Sequence, residues 1–140
     1  MQLIEKEGID KNLFILLVKS YSNSGNQLGG SEMIKKIITT KAVTSEMYYL
    51  YASFLNEQNA KTESEAILKK AIYLNHEHIL SHLMLADLFV KKDNKTLALK
   101  HYQKVAGLLE AYPDDSIVPE SDGMTAGRIK ELAVSMINNL

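Results

Sequence analysis

The chain matches itself at an offset of 34 residues, and this period constrains its fold more than any other feature of the sequence. Blocks beginning at Lys11, Ser45 and Ile79 put Phe14, Tyr48 and His82 in one column, and Leu17, Tyr51 and Leu85 in another. Val18, Ala52 and Ala86 follow, then Tyr21, Leu55 and Phe89, then Gly30, Ser64 and Ala98. Later in the block Ile34, Leu68 and Tyr102 align, then Lys36, Lys70 and Lys104, then Ile37, Ala71 and Val105. A period of this length marks stacked supersecondary units, none of which can bury its apolar face alone. The apolar periodicity of any helical bundle would account for some of these columns. It would not align the lysines, or the three polar turns at Asn23 to Asn26, Gln58 to Lys61 and Lys92 to Asn94.

Each block reads as two helices that approach closely. Ala52 and Ala86 on first helices, with Ser64, Ala71 and Ala98 on second helices, are small enough to permit that approach. Tyr51, Leu55, Leu68, Leu85, Phe89 and Tyr102 are large and fill the spaces between helices. The alternation of large, small and aromatic positions resembles the tetratricopeptide (TPR) repeat, most clearly in blocks two and three. That resemblance implies an all-α fold, with three helix-turn-helix repeats at about 11–44, 45–78 and 79–112 wound into a right-handed superhelix. Asp10 is placed to cap the first helix, and Thr62 with Glu65 has the spacing of a capping box ahead of Ala66 and Ile67. Gly29-Gly30 would weaken a helix, so the second helix of block one is expected to start at Ser31.

The period stops after Leu109. Pro113, Asp114, Asp115, Pro119 and Asp122 predict a loop over 113–124. A helix over 125–139 follows, with Thr125 as N-cap and Met124 and Ile129 spaced as a hydrophobic staple. Its apolar stripe is Ile129, Leu132, Ala133, Met136, Ile137 and Leu140, and such a stripe is expected to cap the last repeat. The 140 residues thus read as one domain.

A sharper resemblance lies in the run from Tyr73-Leu74-Asn75 to Leu85-Ala86-Asp87-Leu88, in Ala98 to Tyr102, in Pro113-Asp114-Asp115, and above all in Val118 to Ile129 with its Pro-Glu-Ser-Asp-Gly-x-Thr-Ala-Gly-Arg stretch. These residues resemble the C-terminal TPR region of CheR-type chemotaxis receptor methyltransferases; Asn75-His76 departs from the Asp-Pro usual at the end of such repeats. The resemblance implies a regulatory module that follows an S-adenosylmethionine-dependent protein-glutamate methyltransferase domain. It implies that the chain is a piece of a longer polypeptide and takes part in chemotaxis signalling. The partners it implies are a receptor cytoplasmic segment, a signalling protein or the upstream catalytic domain.

The chain itself carries no glycine-rich strand-to-helix turn for a nucleotide-like cofactor, so none is expected in these residues. Sixteen basic against seventeen acidic residues leave a net charge of -1, which disfavours nucleic acid and anionic membrane as partners. Cysteine is absent, and the longest apolar run, Leu13 to Val18, is far too short to span a bilayer. Glu5, Lys6, Glu7 and Gly8 interrupt any signal-peptide core, so a cytoplasmic location is expected. His78 and His82 have the i, i+4 spacing of a metal clasp, but no further ligand completes a set; His82 falls on a packing position and His101 reads as helix surface. Glu63 with Glu65 and Asp114 with Asp115 lack a nucleophile beside them, and Lys36, Lys70 and Lys104 read as solvated charge. No catalytic or metal-binding residue is assigned.

The remaining surface is the concave face lined by first helices. Repeat register puts Ile15, Lys19, Tyr49, Ser53, Asn56, Leu83, Asp87, Val90 and Lys91 on it. Apolar positions among them suit a partner's side chains, while Lys19, Asn56, Asp87 and Lys91 select polarity and register. The expected function is non-catalytic protein binding. Two forms of it stand: the methyltransferase module, or a free-standing TPR adaptor or chaperone that holds a helical or extended segment.

Overall fold

The structure is a computed structural model that describes residues 11–24, 32–36 and 43–140. The fold is all-helical and TPR-like; among the described residues the single β feature is an isolated antiparallel bridge between Ile117 and Thr125. The chain divides into two compact units at Asn75 and His76. Asp10, Gly29, Gly30, Ser31 and Ile37 lie outside the described residues, as do the side chains of Ile15 and Tyr21.

The first unit holds α1 (Lys11–Ser24), a helical stretch at 32–36, α2 (Ser45–Glu57) and α3 (Lys61–Leu74). Helix α1 continues through Asn23 and Ser24, where the sequence predicts a turn; Gly25 and Asn26 lie outside the described residues. Phe14, Val18, Ile34, Met47, Tyr51, Phe54 and Leu55 form one buried cluster, as the apolar columns require. Ala52, Ser64 and Ala71 are fully buried between α2 and α3. There the Ser64 hydroxyl donates to the Ala52 carbonyl at 2.8 Å, a contact that a larger side chain at either position would prevent. Thr44 caps α2, its Oγ1 accepting from the Met47 N–H at 3.2 Å.

The capping box expected at Thr62 is not formed. Asn59 adopts a left-handed conformation (φ 63°), and this brings the chain into α3 at Lys61, one residue before Thr62. Ala60 therefore occupies the cap and has no side-chain acceptor. Glu65 turns instead to Lys69, one turn along, at 3.0 Å.

The second unit holds α4 (Ile79–Lys91), α5 (Lys95–Leu109), a loop at 110–125 and α6 (Ala126–Asn139). Its helix pair starts, turns and re-enters helix at positions 34 residues on from those of the first unit. His78 caps α4 as Thr44 caps α2, its Nδ1 accepting from the Ser81 N–H at 3.3 Å. Asp93 is left-handed (φ 58°) as Asn59 is. The N–H groups of Asp93 and Asn94 donate to Val90 and Phe89 at 3.0 and 2.9 Å, and those of Asn59 and Ala60 donate to Asn56 and Leu55 at the same two distances. The 34-residue period is thus a property of hydrogen-bonded turns as well as of apolar columns.

Thr125 caps α6 as expected, its Oγ1 accepting from the Arg128 N–H at 3.2 Å. Helix α6 packs on α5, with Ile129 and Ala133 fully buried and Leu132, Met136 and Ile137 half-buried. Burying two or three large side chains in this way contributes about 3–7 kcal/mol before entropy is counted. The loop is bonded throughout its length: Ala126 N–H to Ser116 O at 2.8 Å, Gly127 N–H to Asp114 O at 2.9 Å, and Val118 N–H to Met124 O at 3.0 Å. Gly127 lies so close to Asp114 that an added Cβ would sit 3.1 Å from that residue's carbonyl oxygen.

Candidate functional site

The nine residues expected on the first-helix face divide between the two units. In the first, Tyr49, Ser53 and Asn56 lie along α2 at i, i+4 and i+7, a spacing that keeps them on one side of the helix. All three are half-buried, and Lys19 on α1 is exposed. The amide oxygen of Asn56 is buried with no hydrogen-bond partner among the described residues. Ile15 belongs to α1, and its side chain lies outside the described residues.

In the second unit Leu83, Asp87 and Val90 occupy the equivalent positions along α4, with Lys91 one residue further. Leu83 and Val90 are half-buried, Asp87 and Lys91 exposed. The core of each helix pair lies on the other columns: Tyr51, Ala52 and Leu55 on α2, and Leu85, Ala86 and Phe89 on α4, are all buried. What remains is a half-covered strip on each of these helices, Tyr49 beside polar Ser53 and Asn56 on α2, and Leu83 and Val90 flanking Asp87 on α4.

Asp87 is not a simple solvated carboxylate. The hydroxyl of the fully buried Tyr102 on α5 donates to its Oδ1. Loss of solvent at that end of the side chain raises the Asp87 pKa above its ordinary value, and the Tyr102 bond and the charge of Lys91 pull it back down. The same burial, with the carboxylate alongside, raises Tyr102, so the phenol stays a donor. Asp87 is thereby held in one orientation at the edge of the strip. Register alone shows Tyr102 as a core residue; its bond across the helix pair is not visible there.

The histidines are arranged differently from the i, i+4 clasp. His78 is turned to the start of α4, where its Nδ1 meets the Ser81 hydroxyl at 2.7 Å. His82 is buried as its column predicts, with Nε2 on the His76 carbonyl and Nδ1 on His101 Nδ1. His101 is half-buried and bonded, not the surface residue expected from the sequence, because the helix pair turns it inward against His82 and Phe89. Among the described residues no three His, Asp or Glu side chains are grouped to hold a metal ion. Lys36, Lys70, Lys104, Glu63, Asp114 and Asp115 are exposed.

A shallow concavity of about 880 Å³ lies along the outer side of α6, beside Asp114, Lys130 and Val134. Another of about 420 Å³ lies in the first unit between Tyr48, Lys69, Lys70, Tyr73 and Leu74. None of the nine strip residues lines either. No helix among the described residues is long and apolar enough to cross a membrane.

With this geometry in place, comparison with solved structures bears on the fold. The chain is similar in fold to the Yersinia enterocolitica type III secretion translocator chaperone SycD, with a TM-score of 0.76 over 99% of this chain and 96% of that one, at 8% identity. It is similar to PcrH in complex with the chaperone binding region of PopD, with a TM-score of 0.74 over 94% and 93% of the two chains at 7% identity. MamA aligns with a TM-score of 0.63 over 99% of this chain and 84% of that one, at 19% identity. No protein-family profile and no curated protein sequence matches the chain. At these identities the likeness establishes a TPR-like fold.

Proposed function

We propose that this chain is a protein-binding adaptor or chaperone of TPR type, which holds a helical or extended segment of a partner on a first-helix strip, such as that of α2 or that of α4. One observation carries the reading. Tyr49, Ser53 and Asn56 in one unit, and Leu83, Asp87 and Val90 in the other, are equivalent in register, excluded from the core of their own helix pair, and only half-covered save for the exposed, Tyr102-bound Asp87. Half-covered apolar groups beside a fixed carboxylate suit a partner's side chains better than bulk water. The likeness to PcrH, solved with the chaperone binding region of PopD, supports the same use of the fold. The chain acts without catalysis or cofactor in this reading, and a reducing compartment such as the cytoplasm suits its lack of cysteine.

The test is capture of partners from the source cell by the full chain, followed by the double variant Tyr49→Ala, Leu83→Ala. The variant should keep its helical circular dichroism and lose the captured protein. Undiminished capture by a folded double variant would refute the strip assignment.

A finer reading rests on the run Val118 to Ile129: that the chain is the regulatory repeat region of a CheR-type methyltransferase. A methyltransferase coding sequence in frame upstream would support it, and an unrelated upstream gene would remove it.

A further inference from the structure

The helix pair of the second unit is joined by two histidines whose hydrogen bonds allow only one arrangement of protons. His82 on α4 is 5% exposed, and His101 on α5 is half-buried. The Nε2 of His82 lies 2.8 Å from the His76 carbonyl oxygen. A carbonyl only accepts, so Nε2 carries the hydrogen and Nδ1 of a neutral His82 is bare. That Nδ1 lies 3.0 Å from Nδ1 of His101, which must therefore donate. Phe89 stacks on the His101 ring with centroids 5.7 Å apart at 17°, holding it in this orientation.

The two protonations then have opposite consequences. A proton added to His101 leaves its Nδ1–H donating and makes the bond stronger. A second proton, on His82, sets two N–H groups against each other where the nitrogens are 3.0 Å apart, with the ring centroids at 5.2 Å. We infer that His82 and His101 form a pH-sensitive latch between α4 and α5, closed while at most one ring is charged and opened when acid charges both.

The surroundings reinforce this. Burial, then the charge of Lys104 on α5 and the nearby His78 and His76, lower the His82 pKa, opposed by its bond to the His76 carbonyl. No carboxylate is among the groups acting on it. On α4, Asp87 is engaged by Tyr102 and balanced by Lys91. Helix α6, which packs on α5, pairs its own charges: Arg128 with Glu131 at 3.5 Å, and Lys130 with Glu110 of the loop at 2.6 Å. Because the folded chain takes up this proton less readily than the unfolded chain, the latch contributes fully above about pH 6.5 and loses its contribution as pH falls through the lowered His82 value. The inference does not depend on the binding reading.

The experiment is a titration of the histidine ring signals of the full chain by two-dimensional NMR, from about pH 8 to about pH 4.5, with amide exchange corrected for its intrinsic pH dependence. His82 should titrate below an ordinary histidine, in a step separate from that of its partner ring. The protected His101 Nδ1–H signal should vanish with the second step, and amide protection across α4 and α5 should fall about fivefold or more. A single joint step near the ordinary histidine value, or a second step that leaves that protection intact, would overturn the latch. His101→Gln keeps a donor and cannot titrate, so His82 should move back toward an ordinary histidine. An unchanged His82 titration in that variant means that burial alone governs it, which also overturns the pairing. If the variant fails to fold, the wild-type titration decides.

Discussion

The helix pairs α2–α3 and α4–α5 share a backbone and differ in what fills it. Each starts at a capped residue, turns at a left-handed residue and enters its second helix two residues later. Between α2 and α3 the core is a cluster of hydrophobic side chains, and the buried Ser64 hydroxyl is bonded to backbone. Between α4 and α5 two polar pairs cross the interface, His82 with His101 and Asp87 with Tyr102. A repeat therefore specifies turn chemistry and helix separation, while equivalent columns remain free to hold either packing or hydrogen bonds. The first pair gains cohesion that is insensitive to pH; the second gains directional contacts that titrate.

The largest expected effect breaks the apolar pair. Phe54→Ala removes a fully buried ring and should cost about 3–5 kcal/mol in urea denaturation. Tyr102→Phe keeps the ring and deletes the donor to Asp87, so it should cost about 1–2 kcal/mol at neutral pH by the same measurement. The caps sharpen the comparison next. Asn94 accepts from the Leu97 N–H at 3.2 Å, and Asn94→Ala should lose about 1 kcal/mol. Its counterpart Ala60→Asn should gain about 0.5 kcal/mol, reduced because Ala60 also packs on the core. Asp87→Asn keeps an acceptor for Tyr102. Since the raised pKa makes the ionised form a net cost above about pH 3.8, the variant should match or slightly exceed wild-type stability at pH 7, by at most about 0.5 kcal/mol given the exposure of Asp87. Its thermal midpoint should also change less across acid pH. Smallest of all, Glu65→Ala breaks a surface ion pair and should cost a few tenths of a kcal/mol, approximately.

How far the sequence discloses this structure depends on the range of each interaction. Ala52, Ala86, Ser64 and Ala98 are readable as close-approach positions because one period repeats them, and Thr125 is readable as a cap because its partner N–H is three residues away. The Thr62–Glu65 spacing misleads because the pattern ignores backbone conformation: Asn59 turns left-handed and moves the cap two residues earlier, to Ala60. The His82–His101 and Asp87–Tyr102 bonds join residues 19 and 15 positions apart across a helix pair, and no local pattern carries such a contact. The strip residues are legible as positions off the core; the Tyr102 bond that orients Asp87 is not.

The segment from Glu110 to Thr125 has a further consequence for handling the protein. Proteases need chain that can open locally, and an exposed helix-free stretch is ordinarily where they cut. Here the Ser121 hydroxyl donates to the Val118 carbonyl at 2.6 Å and accepts from the Met124 N–H at 2.9 Å, while Val118 is anchored in the interior. Subtilisin in limiting amounts should leave this segment uncleaved for as long as α5 and α6 stay together, so a nick there would report their separation.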